Sequence, residues 1–254
     1  MLIIHFINFC IFRQQLHGIS ALEAVNQIRS EGMLSLYRGI LPPLLQKSLS
    51  YSIMFGCYDQ YRRTLEGGMG FNVAPAKVLA AMLAGCTEAL LTPFERVQTL
   101  MLDDKYRKQF KNTPHAFNSL RVFGIKEYYR GLSAILMRNG PSNVIFFSCR
   151  DKLRTFVPEH PNLGLLADFI SGACLGALIS TISFPINTTK THMQKTLGGE
   201  FQSFSKVFLA LYRERGLWGM FRGVHVNYTR SFISWGITNV SYEYLRNHLN
   251  ARGS

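Results

Sequence analysis

The tripeptide Tyr129-Arg130-Gly131 occurs three times in this chain at one spacing. Its copies are Tyr37-Arg38-Gly39 and Phe221-Arg222-Gly223, so successive copies are 92 residues apart. An acid followed three residues later by arginine keeps the same interval, in the pairs Asp59/Arg62, Asp151/Arg154 and Glu243/Arg246. Because independent motifs share one spacing, the sequence predicts a threefold tandem repeat. We place the repeats at 1–68, 69–160 and 161–254.

Each repeat is long enough for two membrane-crossing helices, which need about 20 apolar residues each. The apolar pattern predicts long helices at 1–17, 40–63, 74–103, 132–156, 165–196 and 224–249. Short amphipathic surface helices are predicted near 20–30, 113–123 and 203–214. The expected fold is therefore an all-α membrane protein.

Composition supports a polar path through the membrane. Mean hydropathy is only +0.06, yet 169–189 carries no charged residue and several other apolar stretches carry one. Single charges of this kind are Lys47, Glu88, Arg138 and Arg230. Charged residues inside a membrane usually face a bundle interior or a water-filled cavity. The net charge of +13 favours an anionic partner, such as a phosphate-bearing substrate or an anionic lipid.

Neither catalysis nor metal binding is predicted. The seven histidines form no HExxH motif, and the five cysteines have no metal-ligand spacing. A basic cluster at 105–111 is compatible with a soluble nucleic-acid-binding protein, but a solvated loop facing anionic lipid suits it better. We therefore predict a protein that is not an enzyme and has no nucleic-acid partner.

Two proline motifs also share the 92-residue spacing: Pro93-Phe94-Glu95-x-x-Gln98 and Pro185-Ile186-Asn187-x-x-Lys190. Proline removes a backbone donor and bends a helix, so such helices can lean together and close one end. Residues two and five beyond each proline can then pair between neighbouring helices. Only Glu95 and Lys190 are an acid and a base, and the aligned first-repeat residues are Asn8 and Ile11. At most one ion pair is therefore expected at this end.

These motifs together resemble the mitochondrial carrier family over nearly the whole chain. The resemblance implies a monomer in the mitochondrial inner membrane, with six transmembrane helices in a pseudo-threefold barrel. Its central site would open alternately to the cytosol and the matrix. The proline motifs would form a matrix gate, and Asp59, Arg62, Asp151, Arg154, Glu243 and Arg246 a cytosolic gate. Stronger closure on the cytosolic side would relax strict exchange and permit net uptake.

The same resemblance implies bound lipid and no cofactor. Helix starts expose N–H groups that bind phosphate, and nearby basic residues attract anionic lipid. Cardiolipin is the expected lipid, and a structural turn without lipid is the alternative for any one triplet. The expected lipid-binding residues are Arg38, Gly39, Arg130, Gly131, Arg222 and Gly223.

The first helix is expected to be incomplete. If Gln15 is equivalent to Gln194, the missing first-repeat proline would fall at Phe6, with little chain before it. Two interpretations follow, a truncated gene model or a shortened isoform that is incompetent for transport.

Several strings are similar to the NAD carrier branch of this family. They are Phe12-Arg13-Gln14-Gln15-Leu16, Glu95-Arg96-Val97-Gln98-Thr99-Leu100, and the stretches 37–44, 199–204 and 230–237. The resemblance implies import of oxidised NAD (NAD+) into the matrix, with NAD+ as substrate and not as cofactor. A carrier of another anionic nucleotide or cofactor is the alternative.

Counting twelve or thirteen residues back from the gate acids gives equivalent places deeper in three helices. These are Gln46/Lys47, Arg138/Asn139 and Arg230/Ser231. Each place offers one cation, an arrangement suited to a pyrophosphate. Glu88 would bond a ribose hydroxyl or balance a nicotinamide ring, unless it only forms an internal ion pair with an arginine.

Overall fold

The computed structural model describes residues 2–30, 41–106, 109–156 and 164–230, with side chains described except at 2–5, 104, 150–156 and 164–172. Within these ranges the regular secondary structure is helical, without strands. The helices are α1 Leu2–His17, α2 Ala21–Ser30, α3 Leu41–Arg63, α4 Val73–Glu88, α5 Thr92–Leu102, α6 Thr113–Arg121, α7 Ile125–Tyr128, α8 Leu132–Phe156, α9 Gly164–Ile182, α10 Phe184–Gln194 and α11 Phe204–Met220. A twelfth helix, α12, begins at 224 and is described to 230. The expected all-helical class is confirmed for this part of the chain.

Proline divides two of the predicted long helices. The span 74–103 is broken by a 3-10 turn, Ala89–Leu91, and 165–196 is broken at Ser183. Pro93 and Pro185 then lie in the first turns of α5 and α10. A proline is tolerated there because the first N–H groups of a helix have no intrahelical acceptor. Each motif therefore starts a new helix with its own direction.

Small residues let α4 pack closely on its neighbours. Ala76, Ala80, Ala81 and Ala84 are buried on one side of this helix, together with Gly85. A Cβ atom added at Gly85 would lie 2.7 Å from the backbone nitrogen of Gly140 in α8. No side chain fits in that gap, so glycine is required where α4 and α8 cross.

Glycine turns join the short surface helices to the repeated aromatic-Arg-Gly tripeptides. Gly124 (φ 86°) precedes α7, and Gly216 (φ 68°) bends α11 near its end. Both values fall in the left-handed region that glycine adopts at little cost. These turns let a surface helix lead into the next long helix.

One segment in the described part of the chain, Val73–Leu102, is long and apolar enough to cross a membrane. Ala173–Ile182 is apolar but shorter. Large apolar side chains on this segment, including Met82, Leu83 and Leu90, are exposed at its outer surface. A lipid environment would cover them.

Candidate functional site

A cavity of about 290 Å³ lies among the long helices, with walls from α1, α3, α5, α8, α9, α10 and the start of α12. Most of its lining residues are polar or charged. They include Asn8, Gln15, Gln46, Lys47, Glu95, Gln98, Thr99, Arg138, Asn187, Lys190, Thr191, Asn227 and Arg230. The surrounding helices thus present their polar faces to a shared interior.

The lining follows the repeat. Helix α1 contributes Asn8, Ile11, Phe12 and Gln15, and α5 contributes Glu95, Gln98, Thr99 and Leu102. Helix α10 contributes Asn187, Lys190 and Thr191. Residues separated by three, four and seven positions share one face of a helix. The aligned proline-motif positions therefore face the cavity in all three repeats.

Glu95 is the centre of the cavity's polar contacts. Its carboxylate accepts from Lys190 Nζ at 2.6 Å and from an Arg138 guanidinium nitrogen at 2.7 Å. Gln46 Nε2 donates to the same carboxylate at 2.7 Å, and Arg138 also reaches Asn187 Oδ1 at 3.3 Å. One acid on α5 thereby holds α3, α8 and α10 together.

Two further cations face the cavity without such a partner. Arg230 donates from Nε to Asn227 Oδ1 at 2.9 Å, and Lys47 lines the cavity from α3. Among the side chains that the structure describes, neither forms an ion pair. The lining contains four basic side chains and one carboxylate, a net charge of three positive units. Such a cavity attracts a polyanion.

The sequence matches a family described as "Mitochondrial carrier protein" in three segments, 13–68, 72–161 and 161–253. The chain belongs to the mitochondrial carrier family. The resemblance drawn from the repeated motifs is therefore confirmed.

Several curated relatives cover most of this carrier. It is 48% identical to two human proteins described as mitochondrial nicotinamide adenine dinucleotide transporters, over 92% of its own length and 80% of theirs. Human solute carrier family 25 member 53 is 30% identical, over 95% of this chain and 81% of that protein. A mouse mitochondrial 2-oxodicarboxylate carrier is 28% identical, over 85% and 76%.

The predicted substrate-binding residues of the carrier do not all face the cavity. Glu88 accepts a short hydrogen bond from Ser50, and Asn139 accepts from Arg138 Nε at 2.8 Å. Neither residue lines the cavity. The alternative of a Glu88–arginine ion pair is also not seen among the described side chains. Ser231 lies outside the described residues.

The predicted matrix-gate ion pair, Glu95–Lys190, is present in the carrier. Gln46 and Arg138, which were predicted to bind substrate, line the cavity and are both bonded to Glu95. The gate and binding positions were counted from different motifs, and the fold brings them together. In space they form one layer.

The predicted cytosolic gate is described only in part. Arg62 pairs with Glu66 one turn later at 3.4 Å, while Asp59 is exposed. No Asp59–Arg62 ion pair occurs in the described part of the carrier. The side chains of Asp151 and Arg154, and all of Glu243 and Arg246, lie outside the described residues.

The triplet arginines that are described donate to groups inside the protein. Arg130 is buried and donates to the Glu127 carboxylate and to the carbonyls of Gly198 and Gly199. Lipid binding by Arg130 stays a prediction. Arg222 donates a short bond to the carbonyl of Gly18. Arg38 and Gly39 lie outside the described residues.

Arg96 and Glu127 complete a buried cluster with Arg130 that the sequence reasoning missed. Arg96 is fully buried, pairs with Glu127, and donates to the carbonyls of Gln194 and Thr196. Burial alone would raise the pKa of Glu127, but hydrogen bonds from Arg130 and Arg96 hold it below its ordinary value. An arginine directly after Glu95 in an otherwise apolar helix was the available signal.

A second cavity of about 400 Å³ adjoins this cluster. It lies between the start of α8, the end of α10 and α11. Its lining includes Arg130, Gly131, His192, Lys195, Phe201 and Glu214. Gly131 lines this cavity and immediately precedes α8, so the start of a helix lies at the cavity.

Proposed function

We propose that this carrier imports NAD+ into the mitochondrial matrix by alternating access. It would be a monomeric, multi-pass protein of the inner membrane, with six transmembrane helices in a pseudo-threefold barrel. The observation that carries the proposal is the cavity's net charge of three positive units, with Lys47 and Arg230 not paired to a described carboxylate. The 48% identity to two human NAD transporters supports the choice among nucleotides.

The charges of the cavity suit a dinucleotide. NAD+ carries two negative charges on its pyrophosphate and one positive charge on its nicotinamide ring. Arg230 can bind phosphate oxygens through two N–H donors of its guanidinium, and Lys47 adds a single positive charge. Glu95 is the carboxylate that faces the cavity, so it is better placed than Glu88 to balance the ring. Glu88 would take part only after a movement of α4.

Arg138 would have a double role. It is bonded to Glu95, yet it lines the cavity beside Lys190. A pyrophosphate near Arg138 would compete with Glu95 for its guanidinium, since both offer paired oxygens. Substrate binding would thereby loosen the layer that closes one end of the cavity, which is the coupling that alternating access requires.

The arrangement supports assigning this conformation as closed to the matrix. The Glu95–Lys190 layer, which the family resemblance places at the matrix gate, is formed. Arg62, expected in the cytosolic gate, is instead paired locally with Glu66. A substrate-free carrier in this conformation would accept NAD+ from the cytosol.

Labelled NAD+ uptake tests the proposal. The full chain is expressed in mitochondria that lack their own NAD carrier, beside Arg230→Gln and Arg138→Glu. Arg213→Gln, at an exposed position on α11, is the matched control. We expect uptake by the parent and the control and its loss in both cavity variants. Uptake that ADP or coenzyme A abolishes at lower concentration than NAD+ would favour another nucleotide. No uptake by a correctly inserted chain would reject import.

We further propose that cardiolipin occupies the second cavity. Support comes from its position at the start of α8, since N–H groups at a helix start can donate to phosphate oxygens, and from Lys195 in its wall. In this proposal Gly131 backbone, and not the Arg130 guanidinium, contacts the headgroup. Native mass spectrometry of the purified carrier should retain a lipid of cardiolipin mass, and Lys195→Gln should reduce its occupancy.

A further inference from the structure

The ion pair between Glu95 and Lys190 has a neutral counterpart at the junction of α1 and α5. In the aligned repeats Asn8 takes the place of Glu95, and Gln98 takes the place of Lys190. Glu95 belongs to one repeat and Lys190 to the next, and Asn8 and Gln98 are related in the same way. The threefold repeat therefore pairs the positions of Asn8 and Gln98. Two amides stand at this junction where the other carries an acid and a base.

These two amides have hydrogen-bonding groups to spare. Both side chains are half-buried and line the cavity. Within the part of the chain that the structure describes, neither side chain takes part in a hydrogen bond. The other amide side chains described in the lining are each bonded to a neighbour: Gln15 to Thr191, Gln46 to Glu95, Asn187 to Arg138 and Asn227 to Arg230. The spare capacity of the described lining amides therefore lies at the α1–α5 junction.

Free amides bind a neutral partner that has a donor and an acceptor side by side. Each amide supplies two N–H donors and a carbonyl acceptor, without a charge. Phosphates are better bound by Lys47 and Arg230, whose positive charges lie in the same lining. NAD+ has two neutral edges with an amino donor beside an acceptor, the carboxamide of nicotinamide and the N6/N7 edge of adenine. Asparagine and glutamine bind that adenine edge through two hydrogen bonds.

Charge alone leaves the cavity unselective. Its three positive units attract any nucleotide polyanion, including ADP and coenzyme A. A site that hydrogen-bonds its ligand is more selective, because an analogue without the bonding group leaves the polar groups of the site unpaired. Free amides at the α1–α5 junction supply selectivity of this second kind. Gln98 follows Glu95 by three residues, so both face the cavity from one side of α5.

We propose that Asn8 and Gln98 bind an uncharged amino-and-acceptor edge of the transported dinucleotide and thereby determine its selectivity. This inference rests on the proposed function, which supplies the dinucleotide. Lys47 and Arg230 hold the pyrophosphate by charge, while Asn8 and Gln98 recognise one of the two neutral edges by hydrogen bonds. The carrier thus uses two proline-motif positions that have lost their charges to distinguish one nucleotide from another.

Ligand binding by the purified full-length chain tests the proposal without requiring transport. A ligand that binds the folded state raises the thermal unfolding midpoint, and a concentration series gives the half-saturating concentration. NAD+ is compared with two analogues of the same net charge. The acetylpyridine analogue has a methyl group in place of the carboxamide amino group. The hypoxanthine analogue has an oxygen in place of the adenine amino group.

We expect the parent to bind one of the two analogues between about fivefold and thirtyfold more weakly than NAD+, as for the loss of one or two neutral hydrogen bonds. The weakly bound analogue identifies the edge that the amides recognise. Asn8→Leu with Gln98→Met removes both amides at nearly constant volume. This double variant should bind NAD+ more weakly by a similar factor and should no longer distinguish NAD+ from that analogue. Asn118→Leu, at an exposed position on α6, is the matched control and should keep the discrimination of the parent.

Equal binding of NAD+ and both analogues by the parent would overturn the inference and leave NAD+ standing as the substrate. Full discrimination by the folded double variant would also overturn it, because other residues would then recognise the edge. If the double variant does not fold, the single variants decide, and each should lose part of the discrimination. A folded parent that NAD+ does not stabilise would reject the proposed substrate, and the recognition of its neutral edge with it.

Discussion

Lys190 Nζ lies 2.6 Å from the carboxylate of Glu95, and this contact joins the two proline-started helices α5 and α10. The same carboxylate holds Arg138 of α8 at 2.7 Å. Two partly buried cations therefore depend on one acid. Closure of this end of the cavity is concentrated on a single residue.

Glu95→Gln should destabilise the carrier. The substitution leaves two partly buried cations, Lys190 and Arg138, beside a neutral group. Breaking a fully buried pair costs about 3–5 kcal/mol, and the loss here should be smaller because water can reach both cations. Thermal unfolding of the purified protein should show a clearly lower midpoint. Glu66→Gln, whose partner Arg62 is more exposed, is the control and should change little. Equal effects of the two substitutions would contradict the role given to Glu95.

Asn187→Asp should strengthen the closed end. Asn187 Oδ1 already lies 3.3 Å from an Arg138 nitrogen, so an acid there gives the guanidinium a second carboxylate. We expect a higher unfolding temperature and slower NAD+ uptake, because opening must break an additional ion pair. Asn112→Asp, at the start of α6, changes the same atoms where aspartate is an equally good helix cap, and should leave uptake unchanged. Faster uptake in Asn187→Asp would argue against opening of this end as the limiting step.

Gly85→Ala should force α4 away from α8. The added methyl group would lie 2.7 Å from a backbone nitrogen of Gly140, and backbone cannot rotate aside as a side chain can. Overpacking of this kind costs about 1–3 kcal/mol. Gly140→Ala is the control at the same crossing, since nothing lies within 4 Å of its added methyl group. Unfolding temperatures should separate the two, and a tolerated Gly85→Ala would show that the helices do not cross this closely.

Glu127→Gln should destabilise the carrier at neutral pH and matter less in acid. The folded protein holds the pKa of Glu127 below its ordinary value of 4.5. The stabilisation is therefore fully present above pH 4.5 and is lost as pH falls through the lower folded-state pKa. Unfolding temperatures of parent and variant should differ most near pH 7 and converge in acid. Glu214→Gln, which replaces a largely exposed acid, is the control. Its unfolding temperature should stay close to that of the parent.

The periodicity of the sequence was sufficient to predict the repeat and the surface helices. Helices α2, α6 and α11 lie where short amphipathic segments were predicted, because glycine turns and apolar spacing mark them locally. The breaks before Pro93 and Pro185 follow from the chemistry of proline alone. Local signals of this kind need no knowledge of how helices pack.

The pairing of charges could not be predicted from local sequence signals. Counting residues from the gate acids gives the depth of Arg138 in the membrane but not its direction around the helix. Arg138 and Glu95 are 43 residues apart, and their contact depends on how α5 and α8 pack. Glu88 was predicted as a substrate contact from its place in an apolar stretch, yet it accepts a hydrogen bond from Ser50 and does not line the cavity. The Arg130 side chain points into the protein because it pairs with the buried carboxylate of Glu127, three residues earlier.

The Arg96–Glu127–Arg130 cluster belongs to the second repeat alone. Phe9 and Thr188 align with Arg96, while Ser35 and Gly219 align with Glu127. The cluster joins α5, α8 and the end of α10, and the sequence supplies no acid for the same contact at the other two junctions. We therefore expect the three junctions to separate unevenly during transport, although the three repeats are alike in sequence.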